Sequence, residues 1–258
     1  MLEGTIFLLS VIVVMAIVVY SSLTLAKRGK WVPNIRKMAG LDSVEEAVGR
    51  ATEMGAPVHF TPGLADVTAD TAPQTFAGLE VLGFVTELSA RYNTELIVTI
   101  RQPNVFPLAQ EIVRQGYVAA GKPDMFQEDT VQFLSSEQFA YAAGVMGIFY
   151  RRHVAANIMM GAFWAESLLF AEAGAQIGAI QVAGSAAMAQ IPFFVAACDY
   201  TLIGEELYAA GAYLSQDKVK IGSIGGQDIL KAMSMVLILL GSLLATAGSQ
   251  ALIELTKK

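Results

Sequence analysis

Two runs without a charge, one near each end of the chain, constrain this sequence more than any other feature. Thr5 to Ala26 and Ala232 to Ile253 each hold 22 residues with no Asp, Glu, Lys or Arg. As helices rising about 1.5 Å per residue, each reaches about 33 Å, enough to cross the hydrocarbon core of a bilayer. Lys27, Arg28 and Lys30 close the first run, and Lys231 precedes the second. The middle of the chain is therefore expected to be tethered to a membrane at both ends.

A cleaved signal peptide is the competing reading of the first run. Three features oppose it: Glu3 is the only charge before the run, the apolar stretch exceeds a signal peptide's core, and the basic cluster follows it. A retained anchor is the expectation. Lys27, Arg28, Lys30, Arg36 and Lys37 all follow the first run, so the positive-inside tendency places the N-terminus outside and the middle region in the cytoplasm. Trp31 within this basic stretch suits the headgroup layer, with an ordinary linker holding one stray aromatic as the competing reading, and membrane lipid is the expected partner. The single cysteine, Cys198, excludes an internal disulfide and agrees with a reducing compartment.

The two runs supply much of the 54% hydrophobic content. What remains, roughly 190 residues, suits one domain with a sizeable core. From Asp42 to Gln227 there are 20 acidic and nine basic residues. Phosphate neutralisation needs a basic face, so nucleic acid is excluded as a partner.

Within this region helices alternate with short apolar strands. Asp42 as a cap, with Glu45 and Glu46 in the first turn, predicts a helix to Met54 stopped by Gly55. A strand over Val58 to Thr61, broken by Pro62-Gly63, leads into a long polar loop. Helices follow over Thr75 to Tyr92, Val105 to Ala120, Glu137 to Tyr150 (capped by Ser136), Glu166 to Gln176, Ala186 to Ala197 and Glu205 to Leu214. Strands fall between them at Leu96 to Ile100, Thr130 to Leu134, Ile158 to Phe163, Ile180 to Ala183 and Tyr200 to Ile203. Alternation of this kind implies parallel pairing through right-handed crossovers. The expected fold is α/β, a doubly wound, mostly parallel sheet of about six strands, Rossmann-like, flanked by one N-terminal and one C-terminal transmembrane helix. The boundaries expected are an anchor over 1–30, a juxtamembrane linker over 31–41, the α/β domain over 42–217, a linker over 218–231 containing the glycines of IGSIGG, and the second membrane helix over 232–258. Ala179 to Cys198 is itself uncharged and competes as a third span, but Gln181, Gln190 and Pro192 favour strand, turn and helix. Gly241, Ala245 and Ser249, four apart, offer a face for close helix packing.

The run from Ile35 to Pro62, IRKMAGLDSVEEAVGRATEMGAPVHFTP, resembles a family of prokaryotic membrane-anchored proteins known only by a domain of unknown function. The likeness extends through the α/β region and its flanking membrane segments. It implies a fold and a membrane location, and it carries over no catalytic residue and no cofactor.

In a parallel sheet of this type, ligands bind beyond the carboxyl ends of the strands. The candidate ligand-binding residues there are Thr61, Gly63, Arg101, Gln102, Asn104, Ser135, Ser136, Glu166, Gly184, Ser185 and Glu205, beside Trp164 and Glu206. Such a polar set suits a small anionic ligand, although strand ends are polar in any α/β domain. Gly184-Ser185, read as a turn into a helix, would offer backbone N–H groups to a phosphate or carboxylate, or would simply cap that helix. It lacks the glycines of a dinucleotide fingerprint and the lysine of a P-loop. His59 and His153 belong to no metal-spaced set, and no G-x-S-x-G elbow surrounds a serine. No catalytic residue and no cofactor is expected.

Three functions compete: a binding or assembly protein that associates with copies of itself or with a partner, a sensor or enzyme for a small anionic ligand, and a transport component. The first is preferred. The helix from Glu137 to Tyr150 carries Phe139, Ala140, Ala143, Gly144, Met146, Gly147 and Phe149, which leaves little polar surface and suggests a homo-oligomer.

Overall fold

The computed structural model describes residues 5–34 and 36–247. Glu3, Ile35 and the part of the second run beyond residue 247, Ser249 and Ile253 included, lie outside them. The chain divides into two units, one of residues 37–214 and one formed by the two chain ends.

The larger unit runs α2 (Ala39–Met54), β1 (Val58–Gly63), α3 (Ala72–Tyr92), β2 (Leu96–Ile100), α4 (Phe106–Ala119), β3 (Val131–Phe133), α5 (Gln138–Arg152), β4 (Ala156–Ala162), α6 (Glu166–Gln176), β5 (Ile180–Ser185), α7 (Ile191–Ala197), β6 (Tyr200–Ile203) and α8 (Glu205–Ser215). The helices stop and start on local chemistry. Gly55 and Asn93 close α2 and α3 in the left-handed conformation, and prolines stand in the first turns of α3, α4 and α7.

All six strands are parallel, in the order β3-β2-β1-β4-β5-β6. This is the doubly wound α/β fold, and strand order reverses between β1 and β4. Helices α2, α3 and α4 pack together over one face, and α5, α6 and α7 over the other. The second layer buries Tyr141, Val145, Phe149 and Phe170 against Met159 and Ala183. Strands β1, β4 and β5 are buried on both faces along their whole length, which is why they show no alternation of polar and apolar residues.

Several boundaries differ from the sequence reading, each for a local reason. Helix α2 opens at Ala39 with Met38 as a cap that makes no side-chain bond, so Asp42 is not the cap. Its Oδ1 instead accepts from the Tyr213 hydroxyl at 2.8 Å, and Lys37 Nζ lies 3.3 Å from Oδ2. Strand β1 is not broken at Pro62-Gly63: it continues through them, and a register shift against β4 absorbs the proline. Ser136 does not cap α5 with its side chain. The Ser135 hydroxyl does the equivalent work, accepting from Glu137 N at 3.1 Å. Gly184 and Ser185 end β5 rather than open a helix, since α7 begins at Ile191, where Pro192 suits a first turn. The 179–198 stretch is thus β5, a turn and α7, which removes the third span.

The second unit pairs α1 (Thr5–Lys27) with α9 (Lys218–Thr246), both long and apolar enough to cross a membrane. The expected flexible linker over 218–231 is helical. Asp217 caps α9, its carboxylate accepting from Val219 N at 2.7 Å and Lys220 N at 3.3 Å. The glycines read as a linker are a packing face: a Cβ on Gly222 would overlap Ala26, and one on Gly226 would overlap the Ser22 hydroxyl. Each helix thus offers two small residues four apart, and the backbones approach closely. Because Ser22 meets Gly226 and Ala26 meets Gly222, the helices run antiparallel.

Candidate functional site

The reversal of strand order between β1 and β4 is where a doubly wound sheet ordinarily opens a crevice for ligand. Here main-chain segments approach one another closely at the junction. Gly161 of β4 has φ +146°, and a Cβ there would overlap the Pro62 carbonyl oxygen. From the α2/α3/α4 face, α3 comes so close that a Cβ on Gly78 would overlap the Met160 carbonyl oxygen. A Cβ on Gly63 would stand 2.7 Å from both Ala162 N and O. Gly184, one strand along, is packed as tightly, with Met160 Sδ 2.7 Å from where a Cβ would sit.

Around this junction the polar residues tie loops to one another. Arg101 donates from Nε to the Ser136 carbonyl at 3.0 Å and from Nη1 to the Leu64 carbonyl at 3.2 Å. Gln102 donates to the same Leu64 carbonyl at 3.1 Å. The loops after β1, β2 and β3 are thereby fastened at one point. Asn104 donates to Asp66 Oδ2 at 2.9 Å, while Asp66 Oδ1 accepts from Thr68 N and Oγ1, both at 3.1 Å. Glu166 is fully buried: Oε1 accepts from Trp164 N at 2.6 Å, and Oε2 accepts from the Gln138 amide, which joins α6 to α5. At the end of β5, Ser185 Oγ and Ala186 N both donate to Gln74 Oε1, at 3.3 and 2.9 Å, which fixes the strand to α3. Glu205 stands apart in the first turn of α8, where Glu206 accepts from Ile203 N at 3.0 Å.

Thr61 belongs to a different arrangement. A row of buried polar side chains crosses the sheet beneath α5 and α6, and its bonds run in one direction. Asn157 Oδ1 can only accept, so His59 Nδ1 at 2.9 Å carries the proton, and Nε2 accepts from Thr99 Oγ1 at 2.9 Å. The Tyr141 hydroxyl shares its one proton between Thr99 Oγ1 at 2.8 Å and the Thr99 carbonyl at 3.1 Å, and it accepts from Thr61 Oγ1 at 2.9 Å. On the other side, Asn157 donates to Gln181 Oε1 at 3.1 Å, and Gln181 Nε2 ends the row on the Ala171 and Ala197 carbonyls at 2.7 and 3.2 Å. Phe149 packs edge-on against the His59 ring, centroids 4.9 Å apart.

Burial sets the protonation of this row. It pulls His59 down to about 4, against the opposing effect of the Asn157 bond. It also pushes Tyr141 up to about 12, although the bonds from Thr61 and Thr99 work the other way. At neutral pH every member is uncharged, and the amides of Asn157 and Gln181 interrupt any proton path. The row can hold strands in register: His59 pairs laterally with Asn157, and Asn157 with Gln181. A slip along β4 would leave buried polar groups unbonded, at about 1–3 kcal/mol each.

The structure therefore gathers Arg101 and Gln102 at the Leu64 carbonyl, with Ser136 joined to them through Arg101, and it sends Thr61, Glu166, Ser185 and Glu205 to separate places. Sequence reasoning missed Gln74, Gln138 and Tyr141 as their partners. It weighed His59 only as a metal ligand and Gln181 only against a third span, and it passed over Asn157; their shared signal was a polar second residue in each of three buried strands.

Fold and site together define a class: a doubly wound parallel α/β unit with a helix of membrane-crossing length at each end of the chain. The family model for Domain of unknown function (DUF6754) matches residues 2–256, and the chain belongs to that family. No curated protein and no solved structure gives a match.

Proposed function

We propose that this protein is a membrane-anchored binding or assembly protein, in which α1 and α9 hold the α/β unit at the cytoplasmic face for association with other copies. One observation carries this reading. At the carboxyl rim of the sheet Arg101, Gln102, Asn104, Glu166 and Ser185 are engaged with neighbouring loops and helices, while several large apolar side chains are exposed. Phe139 is 69% and Met188 78% exposed, and Trp164, Leu168 and Phe193 are exposed beside them in the same loops and first helical turns. Surfaces of this composition are partner surfaces.

The α5 helix divides accordingly. Tyr141, Val145 and Phe149 enter the core, whereas Phe139, Ala140 and Ala143 face out. Gly144 is half-buried against Leu134, so Phe139 and Ala143 are the better probes. The rim is also acidic, through Asp66, Asp70, Glu137, Glu205 and Glu206, which supports a protein partner over a small anion. Confinement to a membrane plane raises the effective concentration of copies, so a modest apolar contact suffices for a closed assembly.

The test is the mass of the full chain in mild detergent at micromolar concentration, under conditions that retain bound small molecules. A homo-oligomer is expected, and Phe139→Glu with Ala143→Glu should reduce it to folded monomers with an unchanged melting temperature. A folded monomer before any mutation, or a stoichiometric nucleotide or organic acid in the preparation, would contradict the proposal.

A further inference from the structure

Charge in this chain is segregated. Residues 37–214 hold 19 acidic and eight basic side chains, whereas the basic residues outside them concentrate where the two terminal helices enter and leave that unit. From the sequence alone, Lys27, Arg28 and Lys30 are remote from Lys218 and Lys220. Antiparallel docking of α1 on α9 brings the two groups to one end. Ala26 meets Gly222, so Lys27 is one residue beyond the contact and Lys218 about one turn, roughly 6 Å, before it. The chain after α1 folds back on that end, with Arg28 N bonded to Thr24 O at 3.1 Å and Lys30 N to Leu25 O at 3.0 Å. The Trp31 ring and Pro33 close over Gly225. All five cationic side chains are exposed. The acidic residue of this end, Asp217, is engaged as the cap of α9, and Asp228 lies 3.6 Å from Lys231.

We infer that this composite collar is a recognition site for anionic phospholipid headgroups, built from both ends of the chain and complete only when the terminal helices dock. The inference rests on the membrane reading of α1 and α9. The exposed apolar face of α1, through Leu25 and Tyr20, runs up to the collar, so the ligand that satisfies both is one with acyl chains and a phosphate diester. A half-buried aromatic ring among the cations is what the headgroup layer accommodates. Clustered Lys and Arg at that depth attract anionic lipid, and salt weakens the attraction.

The test uses the full chain carrying Trp164→Phe, which leaves Trp31 as its one tryptophan. The chain is reconstituted in phosphatidylcholine vesicles containing a minor fraction of phosphatidylglycerol, with a quencher on one lipid or the other. Labelled phosphatidylglycerol should quench Trp31 about threefold or more beyond its share of the bilayer at low salt, and the excess should fall toward unity at high salt. Lys27→Gln, Arg28→Gln and Lys218→Gln together should abolish the excess. Gly222→Leu with Gly226→Leu keeps every charge but forces the helices apart, and it should abolish the excess as well. Equal quenching by the two lipids in the parent chain would overturn the inference, as would an excess that survives the glycine replacements. Flotation with the vesicles separates the two levels. A chain that floats without the excess loses the lipid site alone, whereas a chain that does not float loses the membrane reading too.

Discussion

Replacing Gly161 by alanine should cost the α/β unit about 3–6 kcal/mol, a large part of the stability of an ordinary domain. Two effects add at this position. The backbone sits at φ +146°, in a region that is essentially glycine's alone, and a Cβ would overlap the Pro62 carbonyl oxygen. That oxygen is main chain in β1, the strand to which β4 is laterally bonded, so neither partner can yield without parting the centre of the sheet. A control separates the two contributions. Gly178 also has positive φ, +74°, but nothing stands within 4 Å of its added Cβ, so Gly178→Ala should cost only about 1 kcal/mol. Denaturant midpoints followed by near-ultraviolet circular dichroism measure both. Equal costs for the two replacements would show that the close strand crossing contributes nothing.

Acid should weaken the unit through His59, within a defined window. Its folded value is about 4, against an ordinary value of 6.5. The unfolded chain therefore takes up the proton first, and stability falls as pH drops from about 6.5 to about 4. Two and a half pH units at 1.36 kcal/mol each give about 3 kcal/mol over that range. Protonation would place a second donor on the ring, facing Thr99, and would turn the Thr99 hydroxyl proton toward Tyr141, whose own proton keeps the Thr99 carbonyl. The carboxylate Glu111, which bonds to Arg114 and Gln115 hold down from 4.5 to about 2, adds its own loss only from the foot of this window downward. His59→Gln should flatten the pH dependence between 4 and 6.5 while lowering stability throughout, because glutamine does not reproduce both bonds. A His59→Gln chain with the parent's slope in that window would assign the acid sensitivity to some other group.

How far these features could be read from the sequence depends on whether their causes are local. The bounds of β2, α6 and β6 were legible in full, since they follow from short apolar runs and nearby helix signals. The α7 start is not legible because the apolar residues Ala186 to Ala189 precede it without a break, although Pro192 marks the true first turn. Partners distant in sequence were not legible. His59 lies 98 residues from Asn157 and 40 from Thr99, and their meeting requires the strand order, not the strands alone. The glycines at 222 and 226 read as flexibility for the same reason: the small residues that make them a packing face, Ser22 and Ala26, stand at the other end of the chain. The candidate site residues were legible as strand-end polar groups, but their loop-fastening bonds depend on Gln74, Gln138 and Leu64, which carried no sequence signal of that role.

The proposal that α1 and α9 hold the α/β unit on the inner side of a membrane predicts a definite pattern of cysteine labelling. Cysteine accessibility in intact cells tests this most directly. The half-buried Cys198 is first replaced by serine, and single cysteines are then placed at Glu3 and at Gln216. The membrane-impermeant reagent should label position 3 in intact cells and position 216 only after lysis, because the basic ends of both helices flank the latter. Labelling of position 216 in intact cells, or release of the chain from membranes by alkaline carbonate, would contradict the account.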